Sequence, residues 1–517
     1  MRPARVLVLD FGSQYNQLIV RAVPELGVYA ELRPAGVSVE EIRAFGAQGV
    51  ILSGGPASVY DAGSPRPDAR VWEMGLPLLG ICYGLQVMVH ELGGRIEASS
   101  KREYGRAHLE KPAIPCALFT GLPEAKTAGQ QVWMSHGDSV TLLPPGFEGV
   151  AATAATPHAV VQDARRRFYG LQFHPEVHHT ENGAVFVRNF LRSVCGLACD
   201  WRPENQIAAL CQRIQADVGR ERVVLGFSGG VDSSVMAALL ERALPQQVHC
   251  VFIDNGLLRF DEAREIQERF HSYCKLPLRV VDAGELFLSR LRGVLDPEAK
   301  RKAVGAAFIE AFEGELSQLG GAQWLAQGTI YPDVIESTST HGKSQTIKSH
   351  HNVGGLPERM LMKVLEPLRE LFKDEVRALG RALGVPEAVL ERHPFPGPGL
   401  AVRVVGEVTS ERLEVLRRAD RIFLDEVERA GLRRELAQVF AVLLPVRSVG
   451  VMGDGRTYEQ VLALRAVTTS DFMTADWYRF PHDFLARVST RIVGEVRGVN
   501  RVVYDITSKP PGTIEWE

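Results

Sequence analysis

Cys82 stands in Gly80-Ile81-Cys82-Tyr83-Gly84, a thiol with glycines two positions to either side. This is the sulfur counterpart of the G-x-S-x-G elbow, whose small neighbours permit a sharp strand-to-helix turn. A thiol at that turn lies close to a helix N-terminus, which favours the thiolate. His174 and Glu176 flank Pro175 at the end of an extended run. Positions two apart in an extended segment share a face, so the carboxylate can orient the imidazole and stabilise its charged form. Backbone N–H groups near Gly54 and Gly55 and at Tyr83 can hold an oxyanion. Together these groups predict acyl transfer through a covalent thioester.

A second chemical stretch is Ser228-Gly229-Gly230-Val231-Asp232-Ser233-Ser234. Before it, RVVLGF from Arg222 to Phe227 reads as a buried strand, and after it apolar residues recur at helical spacing. A strand, a glycine turn and a helix N-terminus converge backbone N–H groups on an anion. The lysine of a GxxxxGK[ST] loop is missing. Serine hydroxyls and Asp232 stand instead, the latter suited to a Mg²⁺ that neutralises phosphate oxygens. Further on, Asp333 and Glu336 are two carboxylates three apart beside a turn, suited to metal-nucleotide contacts. A polar Gly- and Ser-containing loop then leads to Lys348, placed to stabilise charge on a leaving group as a lid closes.

The elements that must position these groups are α/β in pattern. Apolar runs at Arg5 to Asp10, Gly49 to Leu52, Leu76 to Ile81 and Arg167 to Phe173 alternate with helical stretches. So do Arg222 to Phe227, Val248 to Asn255 and Leu278 to Asp282. Two doubly wound parallel sheets are expected, with chemistry at the carboxyl ends of their strands. By that rule Val251 is a candidate adenine or ribose contact. Asp296 to Lys302 reads as a solvated, charged helix start. The Pro/Gly stretch Arg392 to Gly399 reads as a boundary. Beyond it, Val402 to Val405, a long helix near Ser410–Ala430 and the run VFAVLLPVRSVGV suggest a small α+β domain. The expected domains are 1–199, 200–392 and 393–517.

With 59 basic and 62 acidic residues among 517, the net charge is −3, which leaves no electrostatic footprint for nucleic acid. No apolar run reaches the ~18–20 residues of a membrane span. Seven scattered cysteines argue for a reducing compartment, read as the cytosol.

SGGVDSS resembles the pyrophosphate loop of N-type ATP pyrophosphatases, which split ATP into AMP and pyrophosphate. DFGSQ, SGGP, GICYGLQ, SHGD and QFHPE resemble the class I, triad-type glutamine amidotransferases. That likeness makes Cys82 the nucleophile and His174 and Glu176 its partners, and it places Gly54, Gly55, Tyr83 and Gln86 at the glutamine site. FIDNGLLR, QGTIYPDVIES and KSHHNVGGLP extend the resemblance to the glutamine-hydrolysing GMP synthase family. The resemblance implies three substrates, glutamine, ATP and XMP, with Mg²⁺ alongside the ATP. It implies a second domain of adenine-nucleotide alpha hydrolase type and a homodimer through a C-terminal dimerisation domain. It puts Lys348, Asp333 and Glu336 with the adenylation chemistry, and Arg301, His350, Asn352, Gln438, Arg501, Lys509, Ile514 and Glu515 around XMP. Another adenylating amidase such as an NAD synthetase, or a catalytically silent nucleotide-binding regulator, are the alternatives.

Overall fold

The computed structural model describes residues 4–13, 15–122, 129–318, 321–338, 362–452, 455–469, 472 and 474–517. The chain divides into two compact units, Met1–Asn205 and Gln206–Glu517.

The described residues of the first unit form nine strands: β1 (Arg5–Asp10), β2 (Tyr29–Pro34), β3 (Gly49–Leu52), β4 (Leu78–Ile81), β5 (Arg95–Leu109), β6 (Gln130–Leu142), β7 (Glu148–Ala151), β8 (Val160–Asp163) and β9 (Phe168–Leu171). Seven form one sheet in the order β2-β1-β3-β4-β9-β8-β7. The first five are parallel, and β8 and β7 continue antiparallel. Strands β3, β4 and β9 are buried throughout, which is why they read as apolar runs; β8 is equally buried but carries the polar Gln162 and Asp163. Leu7, Leu52, Leu78, Val87 and Phe168 belong to one core against this sheet. Strands β5 and β6 pair only with each other, as a long antiparallel ribbon.

The second unit carries β10 (Val223–Gly226), β11 (Val248–Asp254), β12 (Leu278–Asp282), β13 (Trp324–Ala326) and β14 (Lys363–Leu365) in the order β12-β11-β10-β13-β14, all parallel. The order reverses between β10 and β13, and a crevice opens at such a switch point. A second sheet joins β15 (Gln438–Met452), β16 (Gly455–Thr468), β17 (Asp476–Trp477) and β18 (Val499–Tyr504). The long helix Ser410–Arg429 starts at Thr409, whose side chain caps the Arg412 N–H. One apolar core serves both sheets: Val224 and Val251 from the first share it with Leu400, Leu416, Leu443 and Leu462.

Two readings of the sequence are corrected. Val402 to Val405 does not form a strand of its own: Gly399–Arg403 is a 3₁₀ turn, and only Val404 bridges to Leu443. The turn is anchored because the Leu400 N–H donates to the Leu257 carbonyl at 2.8 Å. Lys300 is not solvated. It opens the helix Pro297–Gln318 fully buried, donating to the carbonyls of Ala401 and Val404 and to the Glu517 carboxylate.

Candidate active site

Three adjacent strands of the first unit deliver three kinds of group to one end of the sheet. Strand β3 runs into Gly54, β4 into Cys82 and β9 into His174. Cys82 takes φ +51°, unusual for a residue with a side chain, and caps the helix Tyr83–Glu91. Its N–H donates to the Leu171 carbonyl at 2.7 Å, tying β4 to β9 at the turn. The flanking glycines answer to space. A Cβ on Gly84 would lie 2.3 Å from the Leu52 carbonyl oxygen, a backbone atom that cannot step aside. Gly84→Ala should therefore cost about 3 kcal/mol of stability by overpacking and displace the elbow; chemical denaturation together with glutaminase assays checks both effects.

His174 Nδ1 is 2.7 Å from Glu176 Oε1, and both side chains are buried. The His-Pro-Glu segment is held against β6, since the His174 N–H donates to the Trp133 carbonyl and Thr180 Oγ1 donates to the His174 carbonyl. Burial alone would lower the imidazole's pKa. The Glu176 charge, hydrogen bonds with Cys82 and Glu176, and the Cys82 charge outweigh it and raise the pKa well above the ordinary 6.5. The folded state thus holds this proton more tightly than the unfolded chain. Its contribution to stability is complete below about pH 6.5 and fades as pH rises through the elevated folded-state value. In Glu176→Gln the largest raising influence is gone, so the His174 titration should move down, read from the imidazole Cε1–H shift. Glutaminase kcat should fall about 10²-fold. An unmoved titration would contradict this account.

The remaining groups line the same place. A Cβ on Gly54 would come within 2.9 Å of His174 Cε1 and 3.6 Å of Cys82 Cβ, so the Gly54 backbone borders nucleophile and base. Gly55 packs closely on the Phe11 carbonyl. The Tyr83 side chain is buried, its hydroxyl donating to the Pro65 carbonyl. The Gln86 amide donates to the Asp138 carbonyl at 2.8 Å and to Gln172 Oε1 at 3.4 Å, tying the helix after the nucleophile to β6. The Ser-His-Gly-Asp run on β6 supports the elbow: the Cys82 thiol donates to the Ser135 carbonyl at 3.6 Å, and buried His136 bonds to the Asp138 carbonyl. Tyr15 packs edge-on to His174, with ring centroids 5.1 Å apart. Nothing in the spacing of the sequence points to Tyr15.

The second unit builds its site at the switch point. Ser228 to Ser234 follow β10 and open the helix Val231–Ala243. The loop is cross-bonded from within, as the Ser228 N–H and the Ser228 hydroxyl both meet Ser233 Oγ and the Gly230 N–H donates to Ser228 Oγ. Ser234 is buried, its N–H donating to the Gly230 carbonyl. Gly229 takes φ +71°, and a Cβ there would meet the Ile266 side chain at 2.8 Å. Gly328, just past β13, packs on the Asp232–Ser233 backbone, so both strands at the switch point contribute. The sequence reading missed Lys373, whose Nζ donates to both Asp232 oxygens at 2.8 and 2.6 Å. A lysine absent from the loop itself is thus supplied by a helix 141 positions further along.

Asp333 caps its own helix, Tyr331–Thr338, by accepting from the Ile330 N–H at 3.1 Å, and Glu336 follows in that helix. Val251 is buried in the shared core, and its carbonyl accepts from the Phe227 N–H. Lys348, His350 and Asn352 lie outside the described residues. Toward the end of the chain, Arg301 donates to the Glu517 main-chain oxygen. Lys509 donates to the Phe472 carbonyl at 2.7 Å. Gln438 is buried with its Oε1 unpartnered, Arg501 is exposed on β18, and Ile514 is buried in a small cluster with Phe440 and Val442. Glu515 is held in a two-point grip by Arg403 at 2.8 and 3.1 Å. Arg403 and Arg465 are fully buried, and neither was singled out from the sequence.

Known proteins resemble this chain along its length. A model described as "Glutamine amidotransferase class-I" matches residues 7–194, one described as "NAD synthase" matches 204–268, and one described as "GMP synthase C terminal domain" matches 425–516. Proteins named "GMP synthase [glutamine-hydrolyzing]" align end to end. That of Rhodopseudomonas palustris strain BisB18 is 56% identical over 99% of this chain and 96% of its own. That of Rhizobium johnstonii is 55% identical over 100% of this chain and 99% of its own. The chain belongs to the glutamine-hydrolysing GMP synthase family. The NAD synthase likeness is confined to the stretch around the pyrophosphate loop, which that family shares, and does not extend to the triad.

Proposed function

We propose that this chain makes GMP from XMP, with glutamine as nitrogen donor and ATP as activator, in purine nucleotide biosynthesis. The observation that carries the reading is identity above one half along the full length of family members, with triad and pyrophosphate loop both intact. In the first unit Cys82 Sγ attacks the glutamine carboxamide carbon, and backbone N–H groups at Gly55 and Tyr83 receive the oxyanion. His174, charged beside Glu176, protonates the departing ammonia. It then deprotonates the water that hydrolyses the thioester to glutamate.

In the second unit XMP O2 attacks the α-phosphorus of ATP. Pyrophosphate leaves into the Ser228–Ser234 loop, where Lys373 offsets its charge, and Val251 borders the adenosine. Ammonia then adds to the activated carbon and AMP departs. Mg²⁺ fits this site: Asp232 is partly exposed, each of its oxygens keeps a lone pair beyond the Lys373 contact, and Mg²⁺ on a nucleotide typically takes one or two carboxylates plus phosphates. When bound, the ion supplies charge neutralisation on the phosphates.

Lys348, Asp333 and Glu336 act at adenylation, and Arg301, His350, Asn352, Gln438, Arg501, Lys509, Ile514 and Glu515 gather around XMP. The functional domains are 1–199, 200–392 and 393–517, the last two sharing one apolar core. Pairing of two copies through the last is supported by Val446, Val449, Val451 and Tyr458, exposed on β15 and β16. We place the enzyme in the cytosol, acting on small molecules without membrane or nucleic-acid partners; among the described residues no helix is long and apolar enough to cross a membrane.

The test is turnover of glutamine, ATP and XMP to glutamate, GMP, AMP and pyrophosphate. Formation of ADP and phosphate would overturn the reading.

A further inference from the structure

The segment from Arg392 to Arg403 reads in sequence as a boundary, yet its side chains grip groups on both sides of it. Arg392 Nη1 donates to the carbonyl of Gly229 in the pyrophosphate loop at 2.7 Å, and Nη2 donates to buried Glu262. The other Glu262 oxygen accepts the Arg259 N–H at 2.8 Å. The Arg259 guanidinium donates to the Val439 carbonyl at 3.0 Å and lies 3.3 Å from the Asp420 carboxylate. It also stands 5.4 Å from the ring of Phe395, and the same ring lies 5.2 Å from the Arg403 guanidinium. Arg403 in turn holds Glu515 in its two-point grip.

We propose that Arg392 is a positioning residue for the pyrophosphate loop, and that the strap Arg392–Arg403 links the position of that loop to Glu515. This rests on the reading of the reaction given above. Gly229 sits at positive φ, where the peptide that follows can turn over at little cost. Its carbonyl direction decides where the Gly230 N–H points; that N–H now makes a long 3.3 Å bond to Ser228 Oγ within the loop, and an arriving phosphate oxygen would take its place. The planar guanidinium fork fixes two acceptors at once, which a single ammonium cannot reproduce. Because Glu262 is buried and bonded at both oxygens, the arginine itself is held in place. At the far end, fully buried Arg403 holds Glu515, so a shift of Phe395 between the two arginines is felt at both.

Calorimetric titration with ATP and magnesium reads the loop directly, using the full chain. Arg392→Met should weaken ATP binding about tenfold or more, and Arg392→Lys should recover part of the loss. Glutaminase activity of the first unit and the thermal midpoint serve as folding controls. Unchanged ATP affinity in a folded Arg392→Met would overturn the positioning role. Should that variant not fold, Arg392→Lys decides alone: weakening of about threefold or more supports the role and anything less overturns it. For the link, KM for XMP is measured with ammonia as donor in Arg392→Lys, Glu515→Gln and the double variant. A combined effect departing about threefold or more from the product of the single effects supports the strap, and a smaller departure overturns it. If the parent enzyme did not act on XMP at all, the reaction reading would fall, while ATP binding would still report on Arg392.

Discussion

Cys82→Ala should abolish glutamine-dependent GMP formation, by about 10⁴-fold or more, while ammonia-supported formation stays at the parent level. The size of the loss follows from chemistry, because without the thiolate no thioester forms and His174 has nothing to protonate. The selectivity follows from construction. Cys82, His174 and Glu176 belong to the unit Met1–Asn205, with its own sheet and core, and the pyrophosphate loop belongs to Gln206–Glu517. Replacing a small buried thiol by a methyl leaves a void of roughly one sulfur atom, too little to unfold the sheet. Steady-state assays with glutamine and with ammonium salts separate the two outcomes. Equal loss with both nitrogen sources would show that the sites do not work independently.

Lys373→Met should lower ammonia-dependent turnover about 10²–10³-fold and leave glutamine hydrolysis measured without ATP unchanged. Nζ lies within 2.8 Å of both Asp232 oxygens at the rim of the loop, where the proposed reaction puts the developing pyrophosphate charge. As a partly exposed ion pair it is worth ~1 kcal/mol or less to folding. A catalytic loss of two decades or more therefore cannot be ascribed to instability. ATP–pyrophosphate exchange in the presence of XMP measures the step, with Lys373→Arg recovering part of it. Retention of turnover within about threefold would remove Lys373 from the chemistry.

Legibility in the sequence followed local physics. The parallel strands were readable where burial on both faces leaves an apolar run, as in RVLVLD of β1; β12, at the sheet edge and partly exposed, was readable from its paired valines, and both strands begin and end at the expected residues. The elbow at Cys82 was readable because both its glycines answer to close backbone approaches, Gly80 to Leu85 within the turn and Gly84 to Leu52 of the neighbouring strand. The β5–β6 ribbon was not, because two strands paired with each other leave residues such as Tyr104, Arg106 and His108 facing outward while Ala107 and Leu109 are buried. Lys373 was beyond reach for a different reason. It meets Asp232 only through the fold, and no spacing rule spans that separation. Lys300 was misread because its charged neighbours resemble a solvated face. Its three buried oxygen partners all come from more than a hundred positions away.

The core shared by Val224, Leu400 and Leu443 also bears on how such a chain can be taken apart. A polypeptide cut between residues 205 and 206 gives two pieces, each keeping its own apolar packing, and each is a reasonable object to express and crystallise alone. A cut at 392–393 would open a single interior and strand a set of leucines and valines in water on both fragments. Deletion boundaries, fusion tags and protease sites belong at the first junction.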